Sequence, residues 1–185
     1  YYIGRLKMFE DRYEEARECF QFALQYCPRE CMRNRRLILV SLVPVEMSFG
    51  RMPTAALGQQ YDIPALVELG NATIEGNLRR FNEIFDANRP TFIRLGIYLV
   101  VEQVRSIVYR NLFKRCFHII NDTRIPIPAF QQAAAWLGEE MDLDEIEWIV
   151  CNLIFAGRIK GYLSHQKRVL VVGKKDPFPS LLTES

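Results

Sequence analysis

The sequence has 185 residues, of which 49% are hydrophobic, and a formal net charge of +2. This length can bury the core of one large domain or two small ones, and the near-neutral charge excludes non-specific attraction of the whole chain to nucleic acid. No run of about 18 apolar residues and no signal-peptide pattern occurs, so neither a membrane span nor secretion is indicated. The five cysteines lack a disulfide framework, which favours reduced thiols in the cytoplasm or nucleus.

Residues 1–108 have the pattern of stacked helical repeats. The chain starts within a helical pattern at Tyr1, so we expect it to be a fragment of a longer protein. Small and aromatic residues and a closing proline mark a tetratricopeptide-like (TPR-like) helical hairpin: Gly4, Tyr13, Ala16, Phe20, Ala23 and Pro28. One hairpin cannot bury its own face, so further helices must stack on it. They are expected at 29–49 with a kink at Pro44, at 54–61, at 64–74, and at 77–87 before a break at 88–90.

A long helix is predicted over residues 91–121. Its apolar residues recur at helical spacing on one face: Ile97, Val101, Val104, Val108, Leu112 and Ile119. Further apolar residues fall outside this face, so the helix must be buried on more than one side. We therefore predict a spine that two domains share. These domains are the helical repeats over 1–108 and a C-terminal domain over 109–175, which is followed by a tail over 176–185.

Residues 123–174 have the pattern of a winged helix. Two X-Pro steps open the segment with a short extended stretch, and a helix follows it. The next helix has Asp142 or Asp144 as its N-cap, apolar residues at helical spacing, and Gly157 where a C-cap belongs. Two strands of alternating pattern, joined by a polar tip, then form a wing.

No pattern in the sequence indicates an enzyme, a metal site or a cofactor. Neither a glycine-rich phosphate loop nor a nucleophile with a general base is present. Cys27 and Cys31 have C-x3-C spacing, but no second cysteine pair exists and both histidines are remote in sequence. The acidic clusters are better explained as solvated helix faces than as acid–base pairs. We therefore predict a non-enzymatic protein that holds no cofactor.

The wing is the candidate nucleic-acid surface. Basic residues gather at the end of the second helix, in the wing and just beyond it: Arg158, Lys160, Lys167, Arg168, Lys174 and Lys175. With Tyr162 and His165 among them, they suit sequence-tolerant contact with phosphates and unpaired bases. Carboxylates at 139–147 crowd the start of the helix that winged helices insert into DNA, and they disfavour sequence-specific readout. A solvated wing tip without any ligand explains the same residues equally well.

Four blocks of the sequence carry a resemblance to a known family. They are LILVSLVPVEMSFGRMPT, EGNLRRFNEIF, RLGIYLVVEQVRSIVYRNLFKRC and DEIEWIVCNLIFAGRIKGYL. They resemble the PCI domain family and, within it, the PCI subunit of a nuclear mRNA-export complex. The resemblance implies a mainly α fold in which a TPR-like helical repeat stack precedes a C-terminal winged helix. It also implies the function of a non-enzymatic scaffold.

The same resemblance implies partners and a location. The expected partners are a small acidic disordered subunit shared with the proteasome lid and a larger germinal-centre-associated export scaffold with its own PCI fold. RNA or DNA is expected to bind weakly and only in the assembly. The protein is expected in the nucleus, associated with nuclear pores, and also in the cytoplasm. The alternative is a protein-only PCI subunit of a proteasome-lid or signalosome-like assembly. A third class, an autonomous DNA-binding regulator, predicts tight and sequence-dependent binding by this chain alone.

Basic residues interleaved with aromatic ones are the candidate partner-binding residues, given the partners that the resemblance implies. An acidic disordered partner needs aromatic pockets as anchors and basic rims for its carboxylates. The candidates lie near the domain junction and on the second winged-helix helix: Arg105, Tyr109, Arg110, Phe113, Lys114, Trp148 and Phe155. For Trp148 and Phe155 the alternative is packing inside the winged helix, which is the more common situation of an aromatic residue.

Overall fold

Helices make up most of the fold, and a small sheet completes its C-terminal part. The computed structural model describes residues 1–181. The helices are α1 (Tyr2–Phe9), α2 (Tyr13–Tyr26), α3 (Met32–Ser48), α4 (Ala55–Tyr61), α5 (Pro64–Glu75), α6 (Leu78–Leu95), α7 (Tyr98–Ile120), α8 (Ile127–Trp136) and α9 (Leu143–Phe155). The strands are β1 (Arg124–Pro126), β2 (Gly161–Ser164) and β3 (Val169–Val172). The mainly α fold that the sequence predicts is confirmed.

The chain divides into two compact units. The first comprises Tyr1–Asn71 and Glu83–Val104, and the second comprises Ala72–Asn82 and the chain from Arg105 onward. Helices α5, α6 and α7 therefore each contribute residues to both units. The domain limits at residues 108 and 175 stay a prediction.

The first unit begins with a close-packed helical hairpin, as its small residues predict. Gly4 of α1 faces α2, and a Cβ atom on Gly4 would lie 2.9 Å from the ring of Phe20. Ala16 and Phe20 are fully buried. Tyr13 is only half-buried, and its hydroxyl donates to the Asp11 carboxylate at 2.7 Å. The absence of a side chain at position 4 is therefore what lets the two helices meet.

Helix boundaries in the first unit follow local signals. The Thr54 hydroxyl accepts a hydrogen bond from the Leu57 N–H at 3.3 Å and so caps α4. Pro64 opens α5, where its missing N–H is not needed. Helix α3 continues through Pro44, and nearly every residue around this proline is buried. The burial of its neighbours offsets the hydrogen bond that Pro44 cannot make.

The predicted helix over 91–121 is wrong in its first part. Helix α6 continues past Pro90, and α7 begins only after a break at Gly96. Gly96 has a φ of +71°, a backbone conformation that glycine adopts without strain. The Ile97 N–H donates to the Phe92 carbonyl at 3.0 Å across this break, which is the bond that closes a Schellman motif.

Pro90 does not end α6 because the helix is supported on both sides of it. The Asn88 side-chain amide donates to the Ile84 carbonyl at 2.8 Å in the preceding turn. Phe92, in the following turn, is only 2% exposed, and its ring lies 6.1 Å from that of Phe85. Burial of these aromatic rings outweighs the single donor that Pro90 lacks.

The second unit contains a three-stranded antiparallel sheet in the order β1-β3-β2. The middle strand pairs Leu170 with Ile125 of β1 on one side and with Leu163 of β2 on the other. Leu170, Val172 and Ile125 are buried, so this face of the sheet belongs to the core. The other face is open to solvent. The short extended stretch before α8 is thus the third strand of the wing sheet.

Helices α7, α8 and α9 supply the rest of this core. Phe113 of α7 and Phe130 of α8 are fully buried and stack with their ring centroids 4.3 Å apart. Helix α9 begins with a capping box, in which Asp142 accepts from the Glu145 N–H at 2.8 Å and Glu145 accepts from the Asp142 N–H at 3.0 Å. Asp142 is therefore the N-cap, one of the two that the sequence predicts.

The chain after the wing packs against α7. Phe178 is 5% exposed, and its ring centroid lies 5.6 Å from that of Phe117. The Pro177 carbonyl accepts from the Lys160 N–H at 2.8 Å. Residues 176–181, the first part of the predicted tail, therefore contribute to the core of the second unit. The rest of that tail lies outside the described residues.

Candidate partner-binding and nucleic-acid surfaces

Two of the six predicted nucleic-acid residues are engaged within the fold. Arg158 is half-buried and donates to the Ser106 hydroxyl, and burial lowers the pKa of its guanidinium. Arg168 lies 2.5 Å from the Asp144 carboxylate and 3.0 Å from the Glu147 carboxylate. These contacts raise the pKa of Arg168 and hold that of Asp144 below its ordinary range. The guanidinium groups of Arg158 and Arg168 thus already bind protein groups, and their assignment as phosphate contacts stays a prediction.

The wing tip is tied to the start of α9. Glu147, which the sequence places among solvated carboxylates, is only 6% exposed. Its Oε2 lies 2.6 Å from His165 Nδ1, and its Oε1 lies 3.0 Å from Arg168. A buried carboxylate requires such partners. The negative charge expected to repel nucleic acid is therefore partly neutralised by the wing itself.

The four lysines of the predicted set are exposed: Lys160, Lys167, Lys174 and Lys175. The Lys160 ammonium lies 3.5 Å from the Asp176 carboxylate, in an ion pair that is itself exposed. For Lys167, Lys174 and Lys175 the structure shows no ion pair with any of residues 1–181. We call these four residues the wing lysines. They are the part of the basic set that can reach an external phosphate.

Two of the predicted partner-binding residues lie in the core. Phe113 is fully buried against Phe130. Arg110 is 5% exposed, and its Nη2 donates to the carbonyls of Phe178 and Pro179 at 3.0 and 2.6 Å. Burial, and then the nearby Arg158 charge, lower the pKa of Arg110. Their assignment to a partner surface is corrected, because their contacts are made inside the second unit.

Three further candidates on α7 are half-buried. The Tyr109 hydroxyl lies 3.8 Å from the Met141 sulfur, and burial raises the pKa of this hydroxyl. Arg105 and Lys114 also have partly covered side chains. This stretch of α7 therefore offers a partner less surface than the sequence suggests.

The outer face of α9 is the most accessible of the predicted partner sites. Trp148 is 69% exposed and Phe155 is 95% exposed, two helical turns apart. Cys151 lies between them and is also exposed. Packing of the two rings inside the winged helix is therefore ruled out. We call Trp148, Cys151 and Phe155 the outer α9 face.

A groove between α7 and α8 is a surface that the sequence analysis missed. Its volume is about 560 Å³, and most of its lining is apolar: Leu112, Cys116, Ile119, Ile120, Ala129, Ala133, Trp136 and Leu137. Ile119 and Trp136 are 81% and 79% exposed. At its rim the Arg115 guanidinium donates to the Glu75 carbonyl at 2.6 Å, and that of Arg79 donates to the Trp136 carbonyl at 2.6 Å. The sequence feature that could have indicated this groove is Trp136 at the end of the alanine-rich helix α8.

Neither a metal site nor a membrane-spanning helix is found over residues 1–181. No group of three or more histidine, cysteine, aspartate or glutamate residues in this part of the chain could hold a metal ion. No helix there is long and apolar enough to cross a bilayer.

Helical hairpins followed by a winged helix define a class of scaffold subunits, and the comparison with known families agrees with the geometry. Residues 56–174 match the PCI domain, so the chain belongs to the PCI domain family, whose members are generally non-catalytic scaffolds. It is 43% identical over 182 residues to PCI domain-containing protein 2 of Danio rerio, an alignment that covers 98% of this chain and 46% of that protein. The predicted resemblance to the PCI domain family is thereby confirmed, and the role in a nuclear mRNA-export complex stays a prediction.

Two other relatives extend the comparison. The chain is 42% identical over 182 residues to PCI domain-containing protein 2 homolog of Drosophila melanogaster, which covers 98% of this chain and 46% of that protein. It is 31% identical over 186 residues to Protein CSN12 homolog of Yarrowia lipolytica, which covers 98% of this chain and 47% of that protein. The chain therefore spans less than half the length of these relatives.

Proposed function

We propose that the chain is a non-enzymatic PCI scaffold subunit of a nuclear mRNA-export complex. It acts in the nucleus at nuclear pores and also occurs in the cytoplasm. It binds partner subunits, and its wing lysines contribute weak nucleic-acid contacts to the assembly. The observation that carries the proposal is that the winged-helix unit presents two accessible surfaces, the outer α9 face and the wing lysines. The test is copurification of the full-length protein followed by mass spectrometry of its partners.

The outer α9 face is proposed to bind the larger export scaffold that has its own PCI fold. Rings as exposed as those of Trp148 and Phe155 bury a large apolar area when a partner covers them. Aromatic side chains of this kind are enriched among the few residues that dominate an interface. The groove between α7 and α8 is proposed to hold the small acidic subunit, since apolar lining takes apolar anchors and the Arg79 and Arg115 rim attracts carboxylates.

Replacing Trp148 and Phe155 is expected to weaken partner binding without changing stability. Each of Trp148→Ala and Phe155→Ala should cost about 2 kcal/mol of binding free energy, or about 30-fold in affinity, because an aromatic anchor leaves its pocket. Calorimetric titration with the copurified PCI subunit measures the effect.

Phe22→Ala is the matched control for that titration, since Phe22 of α2 is 63% exposed and lies in the first unit. It should leave affinity unchanged. Wild-type affinity in both α9 variants would remove this helix from the interface.

The wing lysines are expected to set the salt dependence of nucleic-acid binding. In the full-length protein with its PCI partner, Lys167→Glu combined with Lys174→Glu should weaken binding to all sequences alike. Each lysine removed should lower the log–log salt slope by about 0.7 on single strands, because fewer counterions are released. Titrations at several salt concentrations measure the slope.

Arg29→Glu with Arg33→Glu reverses two exposed charges in the first unit and is the control for net charge. A loss confined to one sequence, or an equal loss in this control, would contradict the assignment of the wing lysines.

A protein-only subunit of a signalosome-like assembly is the second candidate. The observation that favours it is the 31% identity over 186 residues to Protein CSN12 homolog of Yarrowia lipolytica. In that case the complex binds no nucleic acid at low salt, and the partners found by mass spectrometry are other scaffold subunits. Tight binding of one DNA sequence by this chain alone would instead indicate an autonomous regulator.

A further inference from the structure

We infer that the solvent face of the wing sheet binds an unpaired nucleotide, with Tyr162 as the side chain on which the base stacks. This inference rests on the proposed function and narrows its ligand to single-stranded nucleic acid. What carries it is the placement of one exposed aromatic ring between two cations on the open face of the sheet.

The strand register places three side chains in one row. Tyr162 of β2 pairs with Val171 of β3, and Val171 pairs with Arg124 of β1. Directly opposed side chains on antiparallel strands have Cβ atoms about 5 Å apart, so Tyr162 and Arg124 are about 10 Å apart on either side of Val171. Tyr162 is 64% exposed and Arg124 is also exposed. The half-buried Val171 forms an apolar floor beside the ring.

Burial along the strands shows that this row lies on the open side of the sheet. On β1 the side chain next to Arg124 is the buried Ile125, and on β3 the side chains flanking Val171 are the buried Leu170 and Val172. Successive side chains of a strand point to opposite faces. The ring of Tyr162 is therefore outside the hydrophobic core, and stability alone does not require an aromatic residue there.

Cations flank the ring in two directions. Arg124 makes no side-chain hydrogen bond or ion pair within the described chain; its backbone N–H donates to Asp122 Oδ1 at 3.1 Å. Lys160 directly precedes β2, and its carbonyl accepts from the Gly173 N–H at 2.9 Å, so the pairing continues past the end of the strand. Two residues before Tyr162, Lys160 therefore lies on the same side of the sheet. Its contact with Asp176, at 3.5 Å, is an exposed ion pair, and such pairs are weak. Both cations can therefore turn to phosphates on either side of a stacked base.

This chemistry selects single strands. An aromatic platform between basic side chains accepts any base through its π-face, which explains sequence tolerance. In a duplex the bases are already stacked and paired, so no base offers a free face to the Tyr162 ring. The wing lysines can contact the phosphates of single strands and duplexes alike, whereas the Tyr162 ring binds only an unpaired base.

The test compares binding of the full-length protein, together with its copurified PCI subunit, to a labelled oligouridylate and to an RNA duplex of equal length. Tyr162→Ala should bind the oligouridylate at least about fivefold more weakly and the duplex unchanged, because one stacking contact is lost. Tyr162→Phe should retain wild-type affinity, since stacking uses the ring and not the hydroxyl. The salt slope should not change in either variant, because no charge is removed.

Two variants keep the result interpretable. Tyr26→Ala removes a tyrosine of similar exposure, 68%, from α2 and should have no effect. Tyr162→Thr keeps a residue that favours strands, so it should reproduce the loss if the missing ring, and not a disturbed sheet, is the cause. Unchanged binding of the oligouridylate in Tyr162→Ala and Tyr162→Thr overturns the stacking site but leaves the proposed function standing. Equal losses on duplex and single strand overturn the selectivity, and absence of any binding by the wild type overturns the proposed nucleic-acid role as well.

Discussion

Phe113→Ala is expected to destabilise the second unit by about 3–5 kcal/mol, because it empties a fully buried ring site stacked on Phe130. A loss of this size is a large fraction of the stability of a typical domain. The unfolding transition of the variant should therefore occur at a lower urea concentration than that of the wild type. Circular dichroism during a urea titration measures this shift.

Phe155→Ala is the control, since its ring is 95% exposed and its loss should change the free energy of unfolding by less than about 0.5 kcal/mol. If Phe155→Ala lowered the free energy of unfolding more than Phe113→Ala does, Phe113 would lie on a surface, as the sequence alone suggests.

Arg110→Ala is expected to cost about 2–4 kcal/mol, because it leaves the buried Phe178 carbonyl and the partly buried Pro179 carbonyl without their donor. The segment 176–181 should then detach from α7 more often, and limited proteolysis within it should become faster. Both the free energy of unfolding and the cleavage rate are measurable on one preparation.

Arg115→Ala is the matched control on the same helix. Arg115 also donates to a backbone carbonyl, that of Glu75, but it does so at an exposed position. Its loss should cost less than about 1 kcal/mol. Arg110→Lys should recover part of the stability, since an ammonium group donates at a single point rather than through a planar fork. Equal stability of Arg110→Ala and the wild type would show that the contact with residues 178 and 179 contributes nothing.

Local signals made much of the fold predictable from the sequence. The capping box of α9 is formed by Asp142 and Glu145, three residues apart, so both partners stand in the same short stretch. The Thr54 cap is equally local, because Thr54 accepts from the Leu57 N–H three residues on. Both caps depend on residue type and helical spacing alone, and neither needs knowledge of what packs against the helix.

The boundary between α6 and α7 could not be predicted in the same way. Pro90 and Gly96 are both helix-ending residues, and the sequence alone does not determine at which of them α6 ends. The outcome depends on the burial of Phe92 against Phe85, which a tertiary contact decides.

The candidate sites show the same limit more strongly. An arginine beside an aromatic residue can belong to a partner surface or to a core, and Arg110 is buried only because Phe178 returns to α7. Arg168 meets Asp144 because the wing folds back on α9. The lysines, in contrast, stay exposed as expected, because burying an unpaired ammonium group is costly.

The bond between Arg110 and Phe178 joins residues that are 68 positions apart in the chain. During synthesis Arg110 leaves the ribosome long before its carbonyl partners exist. The residues of the first unit in this chain end at Val104, whereas the second unit cannot close around Arg110 until Phe178 and Pro179 have been synthesised. We therefore expect the two units to fold in succession, with the second unit completed only after Phe178 and Pro179 have been synthesised.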